Sequence, residues 1–271
     1  MSVSQETIRV GMPHLDIFGL SEHFCLAHAG NLHWSWISRL TSKLPTEWRA
    51  EDGGRVYASF VYTSLEYDRD ITAAEDAVIS VECQPLALRA PFFVTETRYL
   101  KKGAGAIVTA RMMSTFSAID GRSNNRFIKS SIPFKSQPFG EAVFDSTRGR
   151  FRTLRAHDDK TLTKASDHLV NPSVDFNAAK FMYFANFCQL FKRYECPRLS
   201  AIAPVRFREV AYFGNVDPFE RTTIFSRRNN MNVFSSMVRS SDQKCIARSN
   251  STSVHVAECD TLYPYPYPVP A

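Results

Sequence analysis

The sequence predicts an α+β fold in which an apolar helix followed by an antiparallel meander occurs twice in one chain. Three observations carry this reading. Residues 20–40, LSEHFCLAHAGNLHWSWISRL, place Leu20, Phe24 and Ala27 on one helical face and, beyond an expected break at Gly30-Asn31, Trp36, Ile37 and Leu40. Residues 176–194 repeat the pattern with Phe181, Phe184, Ala185, Cys188 and Phe191, behind the candidate N-cap residues Asp175 and Asn177. Residues 66–81 can also be laid over residues 211–226, with Tyr67 on Tyr212 and Glu75 on Glu220, so the shared order of elements argues for a duplicated module.

In chain order, residues 2–6 are expected to fray. The apolar run 8–10 ends in Gly11-Met12-Pro13-His14-Leu15, a turn that can aim unpaired backbone N–H groups at a ligand. A polar loop with Pro45 and Gly53-Gly54 follows the first helix. Residues 55–65, RVYASFVYTSL, are dense in β-branched and aromatic side chains and predict a strand with Tyr57 and Tyr62 on opposite faces. Strands at 77–82, 92–99 and 106–119 complete the first meander, the last two joined through Lys101-Lys102-Gly103-Ala104-Gly105. Pro133, Pro138 and Gly149 interrupt a basic connection over residues 121–164, and the module boundary falls inside it, giving modules 1–140 and 141–271. The second module predicts strands at 206–212, 222–227, 232–239 and 245–256, with Ser240-Ser241-Asp242-Gln243 as the matching hairpin turn. The terminal YPYPYPVPA, extended by its prolines, is expected to be a disordered end or else a docking arm along the surface.

With 271 residues, 44% of them hydrophobic, the chain can bury a substantial core. No apolar run reaches the roughly 18 residues of a membrane span, and residues 1–11 lack the apolar core of a signal peptide, so a soluble cytoplasmic protein is expected. The six cysteines are scattered without a CxxC pair, which predicts reduced buried thiols. Histidine spacing offers no zinc set: His23 and His28 are five residues apart and leave one helical face. Residues 121–164 hold ten Lys/Arg and four Asp/Glu and so carry the whole net charge of +6. Such a patch suits an acidic partner, but no nucleic-acid recognition motif accompanies it.

Several stretches resemble a known family. GMPHL from Gly11, LSE from Leu20, Asn31-Leu32-His33-Trp34, GRVYASF from Gly54 and DFNAAKFMYFANF from Asp175 resemble the leinamycin-pathway bifunctional acyltransferase/decarboxylase family of biosynthetic-cluster proteins. The resemblance spans residues 10–256 and implies a double hot-dog fold. It further implies decarboxylation of a methylmalonyl-type coenzyme A thioester and transfer of the propionyl group to the phosphopantetheine of an acyl carrier protein, with no bound cofactor or metal, no nucleic acid or membrane partner, and a homodimer as one assembly. The family's acyl-transfer tyrosine best matches Tyr57 in GRVYASF, with Tyr62 as the other candidate.

The chemistry this implies needs few strong acids or bases. Losing carbon dioxide from a malonyl-type thioester develops an enolate on the thioester oxygen, which calls for oriented donors in a dry pocket. Candidate donors are the backbone amides of Gly11, Met12, Pro13-flanking residues and His14, together with Asn177 and His33, and Trp34 and Phe181 are candidate apolar walls. Acyl transfer asks Tyr57 for nucleophilicity, and Arg55, on its side of the strand, is the candidate helper. Without such help Tyr57 would serve as a hydrogen-bond donor. Within the same fold, a thioesterase would use Glu22 or Asp175, and a dehydratase would pair His33 with Asp175. A non-catalytic module that binds an acyl carrier is a further alternative.

Overall fold

The computed structural model describes residues 3–68, 73–119, 123–125, 127–130, 137–195 and 204–254. Cys196, Cys259 and the proline-rich tail lie outside the described residues, as does much of the basic connection before Gly140. The elements run β1 (Ser4–Arg9), a short hairpin β2 (Leu15–Asp16) and β3 (Gly19–Leu20), α1 (Glu22–Thr41), β4 (Tyr57–Tyr67), β5 (Val78–Arg89), β6 (Phe92–Lys101), β7 (Gly105–Ile119) and β8 (Phe127–Lys129). There follow α2 (Glu141–Ala156), β9 (Thr163–Leu169), α3 (Pro172–Asp175), α4 (Phe184–Glu195), β10 (Val205–Tyr212), β11 (Arg221–Asn229), β12 (Asn232–Arg239) and β13 (Cys245–Ser253).

Helix α1 starts where the Ser21 hydroxyl accepts the Phe24 backbone N–H at 3.1 Å, and it ends at Ser42 in the left-handed region, φ 52°. It does not break at Gly30-Asn31. Gly30 is needed for space: a Cβ there would come within 2.7 Å of the Phe184 ring, so its small size lets α4 close on α1. The buried face is Glu22, Cys25, Leu26, Ala29, Gly30, Leu32, His33, Trp36 and Ile37; of the expected face Leu20, Trp36 and Ile37 are buried, whereas Phe24, Ala27 and Leu40 are half-buried. Glu22 and His33 are polar residues buried with partners, which apolar periodicity alone does not find.

All strands except β2 and β3 join one eleven-stranded sheet with the order β1-β5-β6-β7-β4-β10-β13-β12-β11-β9, β8 pairing β7. Taken from the outer edges inward, β1-β5-β6-β7-β4 and β9-β11-β12-β13-β10 have the same connectivity, and the halves meet at β4 against β10. Tyr67 and Tyr212, paired in the sequence alignment, both end their strands. α1 and α4 pack together against one face, and α2 packs against β4, β5, β10 and β13. This is a double hot-dog.

Other elements depart from the sequence reading, among them β8, β9 and α3, which it does not contain. β1 is a paired strand where fraying is expected, because it adds to β5 over six residue pairs. α4 begins at Phe184 rather than near 176, since Asn177 Oδ1 accepts the Ala179 and Phe181 N–H groups and Lys180 takes φ +65°, closing a turn. α2 occupies part of the stretch read as an aperiodic connection; its buried face is only Phe144, Thr147 and Leu154 among many arginines. Of the cysteines, Cys25, Cys83, Cys188 and Cys245 are free thiols. Among the described residues no helix is long and apolar enough to cross a membrane.

The helices are tied to the seam by one ionic cluster. Arg208 of β10, 1% exposed, donates from Nε to Glu22 Oε2 at 2.5 Å and from Nη1 to Glu195 Oε1 at 2.9 Å. Lys192 adds Glu22 at 3.4 Å and Asp16 at 2.7 Å, while Ser251 donates to Glu195 at 3.1 Å. Burial opposes ionisation of Glu22, but Arg208 and Lys192 outweigh it and hold its carboxyl below the usual range. Removing one partner would strand the others' charge. Arg208→Met is therefore expected to lower unfolding free energy by about 3–5 kcal/mol in a urea titration, whereas Glu22→Met/Arg208→Met/Glu195→Met should recover most of that loss.

Candidate active site at the seam between the two halves

Pairing of β10 with β4 runs from Phe207 opposite Glu66 to Ala211 opposite Tyr62 and goes no further. Residues 57–61 of β4 therefore pair on one edge with β7 and leave the other edge open. Trp34 takes up part of that edge, its indole N–H donating to the Ala58 carbonyl at 3.1 Å. A cavity of about 370 Å³ occupies the opening. Trp34, Phe60, Phe184 and Phe187 make its apolar wall, the Asn177 to Tyr183 turn closes one side, and Phe213 and Gly214 close another.

Val61 is a β-bulge: Phe60 pairs with Ser114 and Tyr62 with Met113, so one residue of β4 is extra. The bulge reverses the alternation, and Tyr57 and Tyr62 fall on the same face rather than opposite ones. Their fates still differ. Tyr57 lines the cavity, its ring edge-on to Phe181 at 4.8 Å and the Arg55 guanidinium 5.0 Å from its centroid. Tyr62 is buried beneath α2, donating to Glu209 at 2.9 Å and accepting from Arg150 at 3.1 Å. Burial, then the Glu209 charge, push its phenol well above the usual tyrosine value.

Of the residues picked from sequence, Tyr57, Arg55, Trp34, Asn177 and Phe181 converge on this cavity. The others do not. Gly11, Met12, Pro13 and His14 form a turn at the far end of α1, where the Gly11 N–H donates to His14 Nδ1 at 3.0 Å and His14 packs on Phe24 at 4.5 Å. The His14 carbonyl accepts the N–H of the α1 cap Ser21 at 2.9 Å, and Met12 points to solvent at 68% exposure. Asp175 is buried as a local cap: its Oδ2 accepts the Asn171 N–H at 2.8 Å and faces His168 Nε2 at 3.1 Å. Glu22 is committed to Arg208.

His33 is fully buried between the Thr95 and Ser114 hydroxyls, each 2.7 Å from a ring nitrogen, and does not line the cavity. Both ring nitrogens are used. Burial pushes its pKa down to about 3.

Tyr183, Ser59 and Ser117 also line the cavity and were not singled out from sequence. Ser59 shares the strand face of Tyr57, so that signal was present. Tyr183 was hidden because its segment reads as helix and forms a turn. The hydroxyls of Tyr57, Tyr183, Ser59 and Ser117, and Asn177 Nδ2, make no hydrogen bond to any described residue. Desolvation pushes the Tyr183 phenol up to about 12, keeping it protonated at neutral pH. Among the described residues, no Asp, Glu, His or Cys lines the cavity, and no group of three or more such side chains is placed to hold a metal ion.

Comparison with known proteins agrees with the fold. A solved acyl-ACP thioesterase from Bacteroides thetaiotaomicron superposes with TM-score 0.66 at 12% identity, covering 92% of this chain and 97% of that one. A 12:0-ACP thioesterase from Umbellularia californica superposes with TM-score 0.65 at 9% identity, covering 92% and 96%. At such identities the likeness is one of fold, and it defines the chain as a double hot-dog protein. No protein-family model matches the chain, and no curated protein matches it in sequence.

The His33 environment sets a pH dependence. Its folded pKa of about 3 lies below the ordinary 6.5, so the unfolded chain binds the extra proton first. Stability from this group is complete above about pH 6.5 and is lost as pH falls toward 3. From pH 7 to pH 5 the loss should be about 2 kcal/mol in urea unfolding, and His33→Gln should remove that increment of pH dependence.

Proposed function

We propose that this protein binds a methylmalonyl-type acyl-CoA in the seam cavity, releases carbon dioxide, and passes the propionyl group to an acyl carrier protein. The observation that carries this reading is the cavity's polar lining, in which the Tyr57, Tyr183, Ser59 and Ser117 hydroxyls and Asn177 Nδ2 are uncommitted and no carboxylate, imidazole or thiol occurs among the described residues. Decarboxylation matches that inventory. The carbon–carboxylate bond breaks, its electron pair enters the enolate, and donors such as Tyr57 and Asn177 Nδ2 stabilise the charge gathering on the thioester oxygen. Trp34, Phe60, Phe181 and Phe184 exclude water, which otherwise stabilises the leaving carboxylate.

Transfer then needs a nucleophile to hold the propionyl group or a donor to activate its thioester. Tyr57 lines the cavity and is the candidate for either role, with Arg55 supplying positive charge at its ring. As nucleophile, its oxygen bonds the propionyl carbonyl carbon, and coenzyme A leaves as the thiol with the phenolic proton. The carrier's thiol then attacks the ester and returns a proton to Tyr57. The acyl-ACP substrates named for the solved thioesterases support a carrier-linked acyl group here too.

Those names also favour a second reading, thioester hydrolysis. The carboxylates Glu22 and Asp175 that would serve it are held in structural contacts, so it would have to run on phenols and bound water. The two readings separate in one assay. Incubated with methylmalonyl-CoA and a carrier protein, the enzyme is expected to release carbon dioxide and load propionyl on the carrier, and Tyr57→Phe should cut loading by at least about 10²-fold. Intact methylmalonyl-CoA, or free acid without carbon dioxide, would contradict the proposal.

A further inference from the structure

We propose that the Tyr183 hydroxyl is the acid that protonates the enolate carbon, setting the face on which the α-carbon gains its proton. The inference rests on the decarboxylase reading and assigns a step that reading leaves open.

Decarboxylation yields a carbanion equivalent, and the reaction is incomplete until the α-carbon gains a proton. In a cavity whose lining has no carboxylic acid, imidazole or thiol among the described residues, the acids on hand are phenols. There are three. Tyr212 is committed, its hydroxyl engaged with Thr63 Oγ1 at 3.0 Å and the Phe184 carbonyl at 3.3 Å. Tyr57 stands beside Arg55 and is taken up with the acyl carbonyl. Tyr183 remains: it lines the cavity, its ring packs on Phe184 at 4.8 Å, and its hydroxyl makes no hydrogen bond to any described residue.

Its acidity suits the task. Desolvation keeps the phenol protonated, with a pKa of about 12, yet an enolate carbon is far more basic, so transfer runs downhill. The Tyr183 O–H bond breaks, its proton forms the new C–H bond at the α-carbon, and its electrons remain on the phenolate. A solvent water then gives a proton to the phenolate, leaving hydroxide, and restores the phenol. A fixed acid on one wall delivers to one face of a planar enolate, whereas bulk water does not discriminate. The hydroxyl makes no hydrogen bond to any described residue, so Tyr183→Phe removes the proton without disturbing a protein hydrogen bond.

The test is decarboxylation of methylmalonyl-CoA in deuterium oxide by wild type and Tyr183→Phe, following carbon dioxide release and the configuration of the monodeuterated propionyl group, with thermal unfolding as a check on folding. Wild type should give one enantiomer. Tyr183→Phe should release carbon dioxide at least about tenfold more slowly and give racemic label, with its unfolding midpoint within a few degrees of wild type. A single enantiomer from both proteins, or racemic label from wild type, would overturn the assignment. Wild type releasing no carbon dioxide would instead defeat the decarboxylase reading itself, so the two failures are distinguishable.

Discussion

A single guanidinium, buried where the two halves meet, constrains the rest of the structure. Arg208 sits on the central strand β10, reaching Glu22 at the start of α1 and Glu195 at the end of α4. Each carboxylate would be costly to bury alone, and each finds its counter-charge at one position, so the two helices are pinned relative to the seam. That placement brings Phe184 onto Gly30 and stacks Phe184, Phe60 and Trp34 within 4.3–6.0 Å. The aromatic group so assembled is the cavity's wall.

The sheet itself makes the opening. A continuous ladder between β4 and β10 would leave no room, but pairing stops at Tyr62 and a bulge at Val61 follows, so the next turns of β4 present an unpaired edge. Into this gap come Tyr57 from the strand and the Asn177 to Tyr183 turn from ahead of α4. The seam thus draws its donors from both halves. It concentrates hydroxyl and amide groups while the protein's carboxylates and imidazoles near it are spent elsewhere, on Arg208, on Asn171, on Thr95 and Ser114. A site of that composition suits reactions whose difficulty is stabilising an enolate or oxyanion rather than abstracting a proton.

Much of the fold was legible because it depends on local patterns. The alternation of β4, the hairpin turns and the apolar stretch of α4 are each written in adjacent residues, and Tyr67 on Tyr212 marks the internal repeat. What was not legible depends on contacts across the chain. Glu22 and His33 lie on the buried face of α1 only because partners from other strands meet them. The bulge at Val61, which sets the face of Tyr62, leaves no sequence mark, and an arginine-rich helix with a three-residue buried stripe reads as connection. In the site, the strand motif led to Tyr57 and Arg55, which line the cavity, whereas the Gly11 to His14 turn, conspicuous in sequence, lies away from it at the start of α1. Tyr183 was obscured by a helix boundary eight residues from where periodicity places it.

The most direct test of the account is a crystal structure with an acyl-CoA analogue whose thioester sulfur is replaced by methylene. The account predicts the carbonyl within hydrogen-bond reach, about 2.6–3.2 Å, of Tyr57 Oη, with the acyl group between Phe181 and Tyr183. An analogue bound instead beside the Gly11 to His14 turn, with the seam cavity empty, would contradict it.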